Sequence, residues 1–408
     1  LSAINPYGIS LLDGQARLLP ARLAPPYFVM HSRTAKAWGV CCLHESILKA
    51  PGILIAEAEG KPAPRQLDGV QILRGVAAAL VVFSHYCLVF VEYGGQSIIA
   101  SYHSLAFVGA SGVDIFFCIS GFVIIYSLLI RPHQVNWRAF GLARLKRIIP
   151  LYWFFTLAMV GMWMTGRALT KLALPPDLVL RSLLLLPLEK HVMGEPVSTH
   201  PILDQGWTLQ YEALFYICCA VVIALVGSKR VFPWTPVAVA ILAVVSLFIP
   251  AMPAYLHDPL MLEFVGGTIL GWLAATGRLF RLPWPRAIAW GSIALGVMGL
   301  LLTTFVPNPE SLRVLIWGVP GFLIVLGSIL VTPVRGGRLV DAGIFLGAAS
   351  YSIYLGHGFA TIFVGTMMKK GYLVGAGSVV LLVVTAVTVA GTAMVYPLIE
   401  RPITKFLR

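Results

Sequence analysis

From about residue 70 to its C-terminal end the sequence is a succession of apolar runs close to twenty residues long, joined by short connections carrying Lys, Arg, Gly and Pro. About 20 apolar residues in a helix cross the hydrocarbon of a bilayer, and lipid offers no partner to an unpaired backbone amide. Such runs therefore predict spanning helices. Ten lie near 70–91, 107–130, 148–165, 208–227, 236–252, 259–276, 286–306, 314–332, 347–367 and 375–398, an all-α polytopic membrane fold of about ten transmembrane helices. With 58% hydrophobic and 12% charged residues, the chain carries half the charge of a soluble domain, where ~25% is usual. No polar stretch interrupts the runs, so residues 66–408 read as one membrane domain. The run RSLLLLPLEK at 181–190 is too short to span and reads as re-entrant or interfacial. Residues 1–65 mix prolines, charges and short apolar pieces, lack the marks of a signal peptide and begin at Leu1. They read as an unassigned leader, disordered or upstream of the true start.

Lys and Arg accumulate in cytoplasmic connections. One alternate set of connections holds Arg131, Arg138, Arg144, Lys146, Arg147, Lys229, Arg230, Arg278, Arg281, Arg286, Arg335, Arg338, Arg401, Lys405 and Arg408. The opposite set holds Arg167, Lys171, Arg181, Lys190, Arg313, Lys369 and Lys370. Fifteen against seven places the first set, and both termini, in the cytoplasm. The formal charge of +13 is thus a topology signal, and no basic domain for nucleic acid is visible. The six cysteines form no CxxC pair and read as small core residues; no metal-ligand or nucleotide-binding spacing occurs.

The stretch LRGVAAALVVFSHY, Leu73 to Tyr86, puts Arg74 and His85 eleven positions apart. Eleven helical steps return to within about 20° of the starting face and cover about 16 Å, so the two share a face. Arg74 falls near the cytoplasmic end and His85 past the middle, where an ionisable group suggests function; alone, Arg74 reads as an interfacial snorkelling residue. The second run carries Asp114 two turns from its outer end, in GASGVDIFFCISGF. At the level of His85 a carboxylate would orient the imidazole as a general base, the alternative being a helix-packing polar residue. Arg144, Lys146 and Arg147 cluster before the third run, as positive-inside punctuation or as ligands for the phosphates of an anionic donor.

LRGVAAALVVFSH, SGVDIFFCISGF, RLKR, WTLQYEALFY and SYSIYLGH, in this order, resemble the acyltransferase 3 family of integral-membrane acyltransferases, over about residues 66–408. HPILDQGWTLQYEALFY is similar to the branch involved in bacterial exopolysaccharide acetylation. The resemblance implies about ten helices in the bacterial cytoplasmic (inner) membrane, moving an acyl group from acyl-CoA, usually acetyl-CoA, to a carbohydrate hydroxyl. It implies that Arg74 and His85 are the essential first-span pair and that Arg144 and Arg147 are associated with the donor. Asp114, Trp207, Glu212, Ser350, Tyr351, Ser352, Tyr354 and His357 match its further motifs. Some members add an extracytoplasmic domain after the last span; the stop at Arg408 implies its absence here.

The expected chemistry has His85, oriented by Asp114, take the proton of the sugar hydroxyl as it attacks the thioester, a histidine-borne acyl group being the variant. Arg74, Arg144, Arg147, Tyr351 and His357 would bind the donor, His357 alternatively serving packing. Trp207 and Glu212 would meet the acceptor at the outer side, an exopolysaccharide, lipid-linked sugar or other glycan; an interfacial carboxylate is the plainer reading of Glu212. His191, His200 and His257 read as exposed. No bound cofactor or metal is expected. A secondary transporter or a polysaccharide-export partner is the rival class, although no repeat relates the two halves of the chain.

Overall fold

A computed structural model describes residues 67–93, 107–131, 133–166, 169, 172–192, 197–249, 258–306, 312–331, 333, 335–373 and 377–407. The leader at 1–65 and His257 lie outside the described residues. Among these residues every regular element is helical, with two isolated β-bridges, Leu172 to Val192 and Lys190 to Ser198. In chain order the helices are α1 Asp68–Glu92, α2 Ser111–Ile130, α3 Trp137–Met164, α4 Pro176–Leu183, α5 Gly206–Val226, α6 Val231–Leu247 and α7 Met261–Ala275. They continue with α8 Pro285–Leu302, α9 Val319–Leu330, α10 Arg338–Ala348, α11 Ser350–Lys369, α12 Ser378–Ala393 and α13 Arg401–Phe406.

Seven stretches are long and apolar enough to cross a membrane, or eight if α10 and α11, bent by 73° at their junction, count as one span. The ten spans expected from the sequence are therefore not all of spanning length. The runs at 259–276 and 314–332 form shorter apolar helices, Met261–Ala275 and Val314–Leu330. Fifteen residues of α7 rise about 22 Å at 1.5 Å each, less than a typical hydrocarbon core. Apolar residues in the flanking turns lengthen the run in the sequence without lengthening the helix. The chain is nonetheless an integral membrane protein by its series of apolar helices.

The short helix holds its place through contact with a neighbour. Among the described residues α2 and α7 form the most extensive helix pair, because Gly121, Gly267 and Gly271 remove the side chains that would separate the backbones. A Cβ on Gly121 would lie 2.1 Å from the Phe264 carbonyl oxygen, and one on Gly267 would lie 2.0 Å from that of Cys118. Without a hydrophobic drive between helices in lipid, such close approach supplies the association energy. Gly267→Ala is expected to cost about 3 kcal/mol or more, since backbone rather than a movable side chain blocks the methyl; the check is the unfolding midpoint in mixed micelles. Cys87, Cys118, Cys218 and Cys219 are buried among apolar side chains, and none of the four is in a disulfide.

α1 is the central element, touching α2, α10, α11 and α12. Its first turn is fastened by Asp68, which accepts two hydrogen bonds of 2.6 Å from Arg335. That carboxylate holds the Arg335 guanidinium above its usual range. Gly347 lets α10 approach α1 so closely that a Cβ there would lie 1.8 Å from the Gln71 carbonyl oxygen. The run at 181–190 is non-spanning, as expected. It continues α4 into a cap held by hydrogen bonds from Tyr152 to the Ser182 carbonyl and from Trp153 Nε1 to that of Leu183, 2.7 and 2.8 Å long.

Candidate active site

α11 gathers the site, because consecutive turns of SYSIYLGH each meet a different neighbour. Ser350 Oγ accepts a 3.0 Å hydrogen bond from Arg74 Nη2. Tyr351 donates to the Ile148 carbonyl at 2.9 Å, which ties it to the helix of Arg144 and Arg147. Ser352 donates to Glu400 Oε2 at 2.6 Å. Tyr354 OH and Thr208 Oγ1 lie 2.9 Å apart, and the His357 ring stands 4.8 Å from that of His85. Arg74 to His85 and Ser350 to His357 run in the same direction, so α1 and α11 are parallel where they form this wall.

At the Arg74 end three arginines converge. Arg147 acts electrostatically on Arg74 as a like charge, and Glu400 and Glu212 act on it as opposite charges. The Arg144 guanidinium lies 5.8 Å from the Tyr216 ring and 5.5 Å from that of Phe140, its Nε buried without a hydrogen-bond partner. Glu212 accepts hydrogen bonds from Ser120 Oγ, at 3.1 Å, and from Tyr216 OH. Glu212 thus lies with the arginine group and not beside Trp207, the pairing in which the sequence suggested that both meet the acceptor. The reason is helical phase: five residues turn about 140° and advance about 7.5 Å. Arg74, Arg144, Arg147 and Tyr351, expected together as a donor group, do lie together, with Glu400 as a carboxylate that the sequence reading missed.

At the His85 end the two imidazoles are held in defined tautomers. His85 Nδ1 lies 2.9 Å from the Val81 carbonyl oxygen, and His357 Nδ1 lies 3.2 Å from that of Ile353. A carbonyl only accepts, so each Nδ1 carries the proton and each Nε2 carries the basic lone pair. His357 therefore stands with His85, about 10 Å along α11 from the Ser350 that meets Arg74, and not among the arginines with which it was expected to bind the donor. Gln205, also unanticipated, places its side-chain nitrogen 3.4 Å from His357 Nε2.

Asp114 does not orient His85. Its carboxylate, 1% exposed, accepts two 3.0 Å hydrogen bonds from Arg313 Nε and Nη2. The pairing of Asp114 with His85 expected from the sequence is not made, because the second span turns the carboxylate elsewhere. Gly112 faces α1, since a Cβ there would lie 2.8 Å from both the Ala77 oxygen and Val81; two residues on, Asp114 is turned about 200° away. The carboxylate whose charge acts on His85 is Asp204. Arg313, counted in the sequence as a connection charge, is sandwiched between Trp207 and Trp317, 5.9 and 5.0 Å from their rings. Trp207 accordingly stands with this ion pair, away from Glu212.

A cap closes this end. Lys190 is buried and reaches both Asp204 and the Pro201 carbonyl, the latter at 3.1 Å. His200, expected to be simply exposed, stacks on Trp207 with 5.8 Å between centroids. Burial lowers the His200 pKa from the ordinary value, with Asp204 opposing. Unfolded, the ring titrates near 6.5; folded, it binds its proton less readily, so its contribution to stability is full above that pH and declines as pH falls through 6.5 towards the folded value. His200→Phe is expected to flatten the fall in thermal midpoint between pH 7.5 and 5.5.

The described geometry coincides with a sequence match. An acyltransferase domain model matches residues 67–397. The chain is 32% identical over 306 residues to the exopolysaccharide production protein ExoZ of Rhizobium meliloti (strain 1021), covering 73% of this chain and 90% of that protein. No solved structure matches the chain. With the domain model spanning most of the chain, and a relative of this identity matched over most of its own length, the chain belongs to the acyltransferase 3 family and is a membrane acyltransferase.

Proposed function

We propose that this protein moves an acyl group, acetyl by preference, from cytoplasmic acyl-CoA to a hydroxyl of an exopolysaccharide or of its lipid-linked precursor, in the bacterial cytoplasmic membrane with both termini inside. The observation that carries the reading is the polarity of α1: Arg74 in a cluster of three arginines at one end, His85 against a second imidazole about 16 Å away. A nucleotide with phosphates suits the arginines, which pair with phosphate in a bidentate, charge-assisted way. The thin, mostly uncharged pantetheine arm suits the passage between helices. The excess of Lys and Arg on the Arg74 side supports a cytoplasmic donor, and the relative's name supports an exopolysaccharide acceptor.

In this mechanism the hydroxyl oxygen attacks the thioester carbon while its proton passes to His85 Nε2. The tetrahedral adduct re-forms the carbonyl, the carbon–sulfur bond breaks, and the departing sulfur takes the proton from the imidazolium. The products are an ester and the free thiol of CoA. Protein in lipid vesicles, given labelled acetyl-CoA and de-esterified exopolysaccharide from the same cells, is expected to put label covalently on the polysaccharide. Uptake of label without transfer would indicate a transporter, and label retained on His85 would replace direct attack with an acyl-enzyme.

A further inference from the structure

We propose that Gln205 is a catalytic residue that donates the hydrogen bond stabilising the oxyanion of the tetrahedral adduct, with His357 as the positioning residue that fixes its amide. This assignment rests on the reading of His85 as the base. Negative charge developing on a carbonyl oxygen at membrane depth requires a fixed donor nearby, and neither imidazole spends its Nδ1–H on that task. Both protons go to carbonyls of their own helices, Val81 and Ile353. Arg74 is about 16 Å away along α1.

Gln205 meets the requirement in three respects. The tautomer of His357 leaves an acceptor at Nε2, so the group facing it 3.4 Å away is the amide nitrogen and not the amide oxygen. That nitrogen carries two hydrogens; one goes to His357, and the other diverges from it by about 120°, as trigonal geometry at the nitrogen demands. The side chain is also immobilised. Gln205 is 7% exposed, and its amide lies flat on α11 where Gly358 makes room, since a Cβ there would fall 2.7 Å from Nε2 and 2.9 Å from Oε1. Finally, its main chain is fastened to the same helix: Thr208 Oγ1 donates to the Gln205 carbonyl at 3.1 Å and lies 2.9 Å from the hydroxyl of Tyr354, one turn before His357. A donor held at both ends needs no reorganisation when charge appears, which is the condition for effective transition-state stabilisation. In the balanced step, the carbonyl π pair moves to the oxygen facing Gln205 Nε2–H as the acceptor oxygen bonds to carbon and its proton moves to His85. When the carbonyl re-forms, the hydrogen bond weakens and CoA thiol leaves.

The test uses full-length protein in nanodiscs, with labelled acetyl-CoA and de-esterified exopolysaccharide from the same cells. Gln205→Glu keeps the shape but at neutral pH offers only acceptors. Its kcat is expected to fall at least ~100-fold, the usual cost of losing one such donor, with KM for acetyl-CoA within about threefold. Its deficit relative to the parent protein is expected to narrow as pH is lowered, because a protonated carboxyl donates again; a purely structural role would give a deficit independent of pH. Should the Glu variant not be recovered as a monodisperse protein, Gln205→Met is read by kcat in the same way. A kcat within threefold of the parent overturns the assignment. His85→Ala is run in parallel. If it is inactive while the Gln205 variant is active, only this assignment falls; if it is fully active, the reading of the base falls.

Discussion

His85→Ala is expected to lower acyl transfer by ~10³-fold, the middle of the range for a positioned general base, while acyl-CoA still binds. The two properties separate because the proposed function puts the nucleotide end with the arginines, about 16 Å along α1 from the imidazole. The imidazole hydrogen-bonds within its own helix, to Val81, and its ring meets that of His357, so its loss is felt at this end of the wall and not at the arginines. Equilibrium binding of labelled CoA and single-turnover transfer, measured on the same vesicles, check both halves. Loss of CoA binding in step with transfer would mean that His85 holds the donor and is not the base.

Arg313→Met is expected to destabilise the fold by about 3–5 kcal/mol, because removing one partner of a buried ion pair leaves the other charge uncompensated. Here the consequence is aggravated. Asp114 would lose both of its charge-assisted hydrogen bonds, and Glu263, also buried, lies beside it as a second carboxylate acting on the same group. Asp114→Asn alone is expected to cost less, since Glu263 remains to balance Arg313. Combining Arg313→Met with Asp114→Asn and Glu263→Gln removes all three ionisable groups and is expected to recover most of the lost stability, read as the unfolding midpoint in mixed micelles. The combined variant should also transfer acyl groups within about threefold of the parent. If it folds and is inactive, Asp114 has a part in the chemistry that its geometry does not suggest.

The α-helical class, the membrane setting and the Arg74–His85 wall were legible because each depends on local properties. Apolar length dictates a spanning helix, and the 3.6-residue repeat dictates which residues share its face. The arginine group was legible for the same reason, since Arg144 and Arg147 follow one another on one helix and Arg74 lies at the matching end of another. Glu400 could have been found by a similar rule, as a carboxylate two residues past the final apolar run, in VYPLIERP. Gln205 had no such signal: an amide before an apolar run is ordinary, and only its approach to His357 singles it out.

What the sequence by itself determined is thus the order and spacing of the polar groups along each helix, because rise per residue is a property of one helix. What only the tertiary structure decided is the partner each group meets, because the level and rotation of one helix against the next are set by contacts between helices. Gly112 against Ala77 and Val81 turns Asp114 away from His85 and into the reach of Arg313. The separation of Gly121, Gly267 and their facing carbonyls keeps a fifteen-residue helix in place, although its length alone does not reach across the bilayer.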